Sequence, residues 1–266
     1  MEDASMTELV ERDWAVHTEG GRLFARSWSQ GDGLGNGKPP VLLFHDSLGC
    51  VELWRGFPEK LARATGRPVI AYDRLGFGRS YARHGSLQRS FIADEAVVNV
   101  PAIRAQLGFS RFVVCGHSVG GGMAIHTAAS FPGDCGAAIT MGAQAFVEAR
   151  TGEGIKLAKA EFAEPENFGR LVKYHGDKAR WVLDAWTETW LDPEFADWTL
   201  DDALGRVRCP VLAIHGASDE YGSTEHPRRI AGARGAMEIL PGVGHVPHRE
   251  DDERVLDIVG RFLADK

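Results

Sequence analysis

Phe112-Val113-Val114-Cys115-Gly116-His117-Ser118-Val119-Gly120-Gly121-Gly122-Met123-Ala124 decides the reading of this chain. Four apolar residues read as a buried strand, and the small-residue run after Val119 reads as a helix, so Ser118 falls on the sharp turn between them. A serine hydroxyl is a weak nucleophile, and a strained turn that presents one makes chemical sense when a base and an oxyanion hole stand beside it. The flanking glycines permit such a turn. G-x-S-x-G alone also describes many ordinary surface turns, so its weight depends on the rest of the chain.

Outward from this turn, further short apolar runs recur at Val41–Phe44, Val69–Tyr72, Ala137–Thr140 and Val211–Ile214, and a last strand is expected near Met237–Leu240. Continuous apolar strands suit a parallel sheet covered on both faces. Residues 52–65, 88–107 and 119–130 read as helices between them, with Pro101 expected to kink or restart the second and Pro132-Gly133 ending the third. Strand and helix alternate, which gives an α/β class with a mostly parallel twisted sheet and helices on both faces. Trp14–His17 and Arg22–Trp28 read as an antiparallel hairpin around Gly20-Gly21, followed by the glycine-rich loop Gly31–Pro40. The alternation pauses over residues 146–204, which carry Trp181, Trp186, Trp190 and Trp198, four of the seven tryptophans. This interval reads as a helical cap inserted into a core made of residues 1–145 and 205–266.

The composition is ordinary for a globular chain of 266 residues, 44% hydrophobic and 25% charged. A net charge of -7 with scattered basic residues gives no footprint for a nucleic-acid partner. After the acidic start Met1-Glu2-Asp3 there is no secretory segment, and no run approaches the roughly 20 apolar residues that span a bilayer. The chain reads as cytoplasmic, without a membrane partner. Cys50, Cys115, Cys135 and Cys209 lack metal or disulfide spacing and read as reduced thiols, Cys115 as packing.

Downstream of the Val211–Ile214 run, His215-Gly216-Ala217-Ser218-Asp219 places a carboxylate at a strand's carboxyl end, where ligand and catalytic groups gather in open α/β sheets. Gly244-His245 then lies in the loop between the last strand and a final helix from Glu250. The order Ser118, Asp219, His245 is that of a nucleophile, an acid and a base: Ser118 attacks a carbonyl carbon, His245 carries the proton, and Asp219 orients the imidazole. His248, three residues on, is a rival base, and Glu220 a rival acid.

From about Pro40 to the carboxyl end the chain resembles the serine hydrolases of the α/β-hydrolase fold, on its elbow Gly116–Gly120, its acid motif Gly216–Asp219, its base motif Gly244-His245 and the supporting loop Asp73–Ser80. The resemblance implies an inserted cap over the nucleophile and an oxyanion hole formed by the N–H groups of Val119 and Ser47. His45-Asp46-Ser47-Leu48-Gly49 departs from the family's usual H-G-x-x-G at Asp46, whose charge would oppose an oxyanion unless it turns away or is paired, with Arg74 and His45 as candidate partners. Leu183, Trp186 and Trp190 share one helical face, where the aromatic side chains either line an acyl pocket or pack the cap; Trp186, Trp190 and His117 are the expected substrate contacts. The implied activity is cofactor-independent and metal-free hydrolysis of an ester, lactone or thioester of a small to medium apolar substrate. Carbon–carbon hydrolases of ring-cleavage diketones share the triad but commonly carry asparagine before the serine and tryptophan after the histidine, where this chain has His117 and Val246. A ligand receptor of the same fold, and a homodimer, stay open.

Overall fold

The computed structural model describes residues 8–31, 34, 37–233 and 235–266. The acidic start and part of the glycine-rich loop Gly31–Pro40 therefore lie outside the described residues. Eight strands form one sheet: β1 Leu9–Thr18, β2 Gly21–Gln30, β3 Val41–Phe44, β4 Val69–Tyr72, β5 Phe112–His117, β6 Cys135–Met141, β7 Val211–Gly216 and β8 Ala236–Leu240. Their order is β1-β2-β4-β3-β5-β6-β7-β8. β1 and β2 make the expected hairpin, β2 joins β4 antiparallel, and the remaining pairings are parallel.

Every residue of β3, β4, β5 and β7 is buried, as two-sided cover demands. The strand period of two separates the side chains cleanly. Leu42, Phe44, Ile70 and Val114 enter one core with helices α2 (Phe91–Leu107) and α3 (Val119–Ser130), while Val41, Leu43, Ala71 and Val113 enter the other with α1 (Phe57–Thr65). Cys50, Cys115 and Cys135 are buried, and burial pushes the Cys115 thiol up to about 12, which fits packing rather than nucleophilic chemistry.

One helical expectation changes, and one of two alternatives is removed from another. Residues 52–65 do not form one helix: a short 3-10 turn, Val51–Trp54, ends at Arg55 with φ 53, and α1 starts afresh after Gly56 with Pro58 in its first turn, where a missing N–H costs nothing. Pro101, conversely, does not restart α2, which is one continuous helix. Pro101 lies on the exposed face, and the carbonyl it leaves without a partner belongs to Val97, itself 56% exposed, so water can satisfy it.

Between β6 and β7 the chain inserts α4 Ala149–Glu161, α5 Pro165–His175, α6 Ala179–Leu191 and α7 Asp201–Arg206. β6 still pairs directly with β7, so the insertion leaves the sheet unbroken. Its base is tied by the Phe146–Thr199 bridge and a 2.8 Å bond from Leu200 N–H to the Ala145 carbonyl. After β7 come α8 Glu225–Ala231, α9 Pro247–Glu250 and α10 Asp252–Leu263, the last packing its Val255, Ile258 and Val259 into the core shared with α1. Among the described residues no helix is long and apolar enough to cross a membrane.

Candidate active site

Ser118 stands between β5 and α3 with φ 53 and ψ -125. Its N–H donates to the Met141 carbonyl at 2.9 Å and its carbonyl accepts from Gly121 N–H at 2.9 Å, so both sides of the peptide are anchored. Glycine is required at two positions of this elbow for lack of space: a Cβ on Gly116 would collide with the Gly120 carbonyl, and one on Gly120 with the Phe44 carbonyl of β3. Because those obstacles are backbone, a methyl group cannot be accommodated by a side-chain shift. Gly120→Ala is expected to lose more than about 3 kcal/mol of stability or fail to fold, measured by thermal unfolding and soluble yield.

The loops after β7 and β8 bring Asp219 to His245. Asp219 Oδ2 lies 2.8 Å from His245 Nδ1, while its Oδ1 accepts from the N–H groups of Tyr221 at 2.7 Å and Gly222 at 3.2 Å. Burial by itself would raise the Asp219 carboxyl, but His245 and those donors hold it below the usual carboxylate range. For His245 burial pulls downward and the Asp219 carboxylate overcomes it, leaving the imidazole above its ordinary value. Its ring lies 4.8 Å from that of Tyr221 and 5.1 Å from that of His117. Ser118 and His245 line the same cavity, although among the described residues the Ser118 hydroxyl makes no hydrogen bond. Free enzymes often hold this link open until substrate binds.

The rivals separate by geometry. His248 is buried, packs tilted 4.7 Å from Trp54 and edge-on 4.7 Å from His117, and leaves Nδ1 without a partner. It does not reach Asp219, and the His245 bond goes to Asp219 rather than Glu220. His215 is an addition that the apolar run of β7 conceals: fully buried, its Nε2 lies 3.2 Å from the Gly222 carbonyl and 3.3 Å from Asp219 Oδ2. Burial holds its pKa below the ordinary histidine value, so the ring is neutral and Nε2–H donates to both.

Asp46 is paired, but by a different residue from either candidate. Its Oδ1 accepts from Leu48 N–H at 2.9 Å and its Oδ2 faces His117 Nδ1 at 3.4 Å. Burial opposes the charge, yet His117 and Leu48 hold the carboxyl well below the usual range. Arg74 and His45 grip the Asp46 carbonyl instead, each at 2.8 Å. Because His45 Nε2 accepts from Arg74 N–H at 3.1 Å, its proton sits on Nδ1, which donates to that carbonyl. His117 Nε2 donates at 2.8 Å to the His245 carbonyl, so one imidazole links the Asp46 loop to the His245 loop. Both His117 nitrogens are thereby engaged within the protein, though the residue still lines the cavity.

Ser47 also lines the cavity, and among the described residues nothing accepts its N–H. Val119 is the first residue of α3, where a helical N–H has no partner four residues back. The cavity measures about 560 Å³ and is roofed by α4, α5 and α6, with Trp186 and Trp190 among its walls. Trp190 is only 5% exposed and packs edge-on to Phe195 and Trp198, whereas Trp186 is half-buried and packs edge-on to Tyr221. Among the described residues no group of three or more His, Cys, Asp or Glu side chains is gathered to hold a metal ion.

A family model described as the alpha/beta hydrolase fold matches residues 39–172, which is 134 of the 266 residues. Curated relatives include the 1-acylglycerol-3-phosphate O-acyltransferase ABHD5 of Homo sapiens, 31% identical over 96 residues that are 36% of this chain and 27% of that protein. Another is the proline iminopeptidase of Lactobacillus delbrueckii subsp. lactis, 31% identical over 88 residues, 33% of this chain and 30% of that one. The chain thus spans less than a third of the length of these curated relatives. Among solved structures, the proline iminopeptidase of Mycobacterium smegmatis superimposes with a TM-score of 0.75 at 20% identity, covering 95% of this chain and 98% of that one. A thermophilic esterase from Thermogutta terrifontis gives 0.71 at 20% identity over 95% and 98%. The meta-cleavage product hydrolase of Pseudomonas fluorescens gives 0.73 at 21% identity over 95% and 97%. With the matched half of the sequence, the eight-stranded sheet and the elbow before α3 in agreement, the chain belongs to the alpha/beta hydrolase fold family.

Proposed function

We propose that the chain is a serine hydrolase that cleaves a carboxylic ester, lactone or thioester of a small molecule through an acyl-enzyme. One observation carries the reading: His245, held at 2.8 Å by Asp219, opens on the same cavity as the strained Ser118. His245 takes the Ser118 proton as Oγ bonds to the acyl carbon, and it returns that proton to the departing alcohol or thiol. Water then repeats the attack, releasing the acid and restoring the Ser118 hydroxyl. The N–H groups of Ser47 and Val119 are the donors proposed for the oxyanion of both tetrahedral intermediates. Asp46 supports this assignment, because its carboxylate is directed to His117 and Leu48 N–H.

Turnover of p-nitrophenyl acetate and butyrate tests the reading, together with fluorophosphonate labelling. Wild type is expected to hydrolyse and to be labelled at Ser118, and Ser118→Ala to do neither. A wild-type protein inert to both the esters and the label would end the proposal.

The two cap tryptophans are expected to separate in function. Trp186→Ala, on a half-buried wall of the cavity, should shift acyl-chain preference toward longer esters at a cost of about 1 kcal/mol or less in stability. Trp190→Ala empties a buried aromatic cluster and should cost about 3–5 kcal/mol. Melting temperatures and kcat/KM for C2 to C8 p-nitrophenyl esters check both; equal losses in the two variants would contradict the division.

A further inference from the structure

The lining of the cavity carries charge opposite to that of the whole chain. Six ionisable Asp, Glu, Arg or Lys residues line it: Arg55, Arg170, Lys173 and Arg249 against Asp46 and Glu161, a balance of +2 on a chain of net charge -7. One of the two carboxylates, Asp46, is already engaged by His117. The cations come from opposite sides. Arg55 and Arg249 belong to the core, in the turn before α1 and in α9, and the Arg249 guanidinium ties these two segments together by donating at 2.6 Å to the Leu53 carbonyl. Arg170 and Lys173 stand three residues apart on α5 of the cap, hence on one helical face. Among the described residues no carboxylate lies within ion-pairing distance of Arg55, Lys173 or Arg249, and Arg170 only reaches Glu166 at 3.9 Å.

A second observation is independent of charge. Among the described residues two non-glycine positions have positive φ, Ser118 and Arg55, both at 53°, and both line this cavity. Such conformations cost about 1–3 kcal/mol each and persist where the surroundings enforce them, typically at functional sites. At Arg55 the chain departs from the 3-10 turn with ψ -134, and the strained residue is an exposed cation of the cavity lining.

We infer that Arg55 and Arg249, faced by Arg170 and Lys173 of the cap, form a recognition site for an anionic group, carboxylate or phosphate, at the end of the substrate remote from the scissile bond. This rests on the ester-hydrolase reading for the end that faces Ser118. An apolar acyl chain then fills the tryptophan-walled interior, and its charged terminus, held between core and cap, sets register and specificity.

The test compares mono-p-nitrophenyl glutarate, p-nitrophenyl 4-phosphonooxybutyrate and neutral p-nitrophenyl valerate. Wild type should favour at least one anionic ester in kcat/KM, and whichever is preferred distinguishes carboxylate from phosphate. In Arg55→Gln/Arg249→Gln the anionic-to-neutral ratio should fall about tenfold or more, mainly through KM. Raising salt from about 0.05 to about 0.5 M should lower the wild-type ratio and leave that of the double variant nearly flat. Arg261→Gln, in α10, is the control and should leave the ratio unchanged. A wild-type preference for valerate, or a ratio that the double variant retains, overturns the anion site while leaving the hydrolase standing. If no ester turns over, the hydrolase reading is what has failed, and calorimetric binding of glutaramate against pentanamide to wild type and the double variant decides the anion site: selective binding lost in the variant supports it, and equal binding overturns it.

Discussion

Ser118→Gly is expected to melt at a higher temperature than the wild type while losing about 10⁴-fold or more in kcat on a p-nitrophenyl ester. The two effects have one origin. Ser118 holds φ 53 and ψ -125, a region that a residue with a Cβ enters only at a cost of about 1–3 kcal/mol. Glycine enters it freely, and its greater chain entropy in the unfolded state, about 0.5–1 kcal/mol, offsets only part of the relief. A net gain near 1 kcal/mol corresponds to about 2–4 °C in a chain of this size. The hydroxyl that the strain presents is lost with the side chain, and the proposed mechanism gives the attack to no other group; the neighbouring thiol of Cys115 is buried within β5. Ser118→Ala separates the two effects: it should lose the same activity with a melting temperature close to wild type, because alanine keeps the strain. Calorimetry and ester turnover on the three proteins check this, and a glycine variant that melts lower than the alanine variant would show that the elbow is not strained.

The centre of the sheet was legible because β3, β4, β5 and β7 are buried on both faces and so appear as uninterrupted apolar runs, a signal that needs no tertiary information. The elbow was legible for a local reason as well, because Gly116 and Gly120 are required by backbone collisions within a few residues and with β3. What escaped depends on distant partners. Nothing near Asp46 in the chain points to His117, 71 residues away, as the group that engages its carboxylate. His215 is hidden inside an apolar strand, and only the folded loop after β7 brings its Nε2 to Asp219. Arg55 falls inside a helical stretch by propensity, which carries no record of a single strained residue. Pro101 shows the converse limit: the sequence rule against proline within a helix presumes that the freed carbonyl is buried, and here Val97 faces solvent.

Under the proposed mechanism, Asp219→Asn should lower kcat about 10³- to 10⁴-fold while exchanging one carboxylate oxygen for an NH₂ group of nearly the same size. Oδ1 accepts two backbone N–H groups, from Tyr221 and Gly222, and Oδ2 faces His245 Nδ1 and His215 Nε2. An amide has one acceptor oxygen and one donor nitrogen, so one of these two pairs must meet an NH₂ group. The backbone donors cannot change, but an imidazole can move its proton. The amide oxygen therefore stays on Tyr221 and Gly222, and His245 gives up its Nδ1 proton and carries it on Nε2. That tautomer cannot accept the Ser118 proton, which is the source of the loss. The pH dependence should move as well. In wild type the His245 pKa lies above 6.5, so kcat/KM should rise with pH through an apparent value above 6.5 as the base deprotonates. Without the carboxylate, burial dominates and the residual activity should rise at a lower pH. Stability follows the same linkage. Asp219, whose pKa is lowered from 3.8, stabilises the fold above that value and loses this contribution as pH falls through its folded pKa; His245, raised from 6.5, stabilises it below that value and loses this contribution as pH rises through its folded pKa. The melting-temperature gap between wild type and Asp219→Asn should therefore be widest between about pH 4 and 6.5 and narrow above it. Paired pH–rate and pH–melting profiles read both consequences, and an unshifted rate profile with a gap constant across pH would exclude Asp219 as the partner that charges His245.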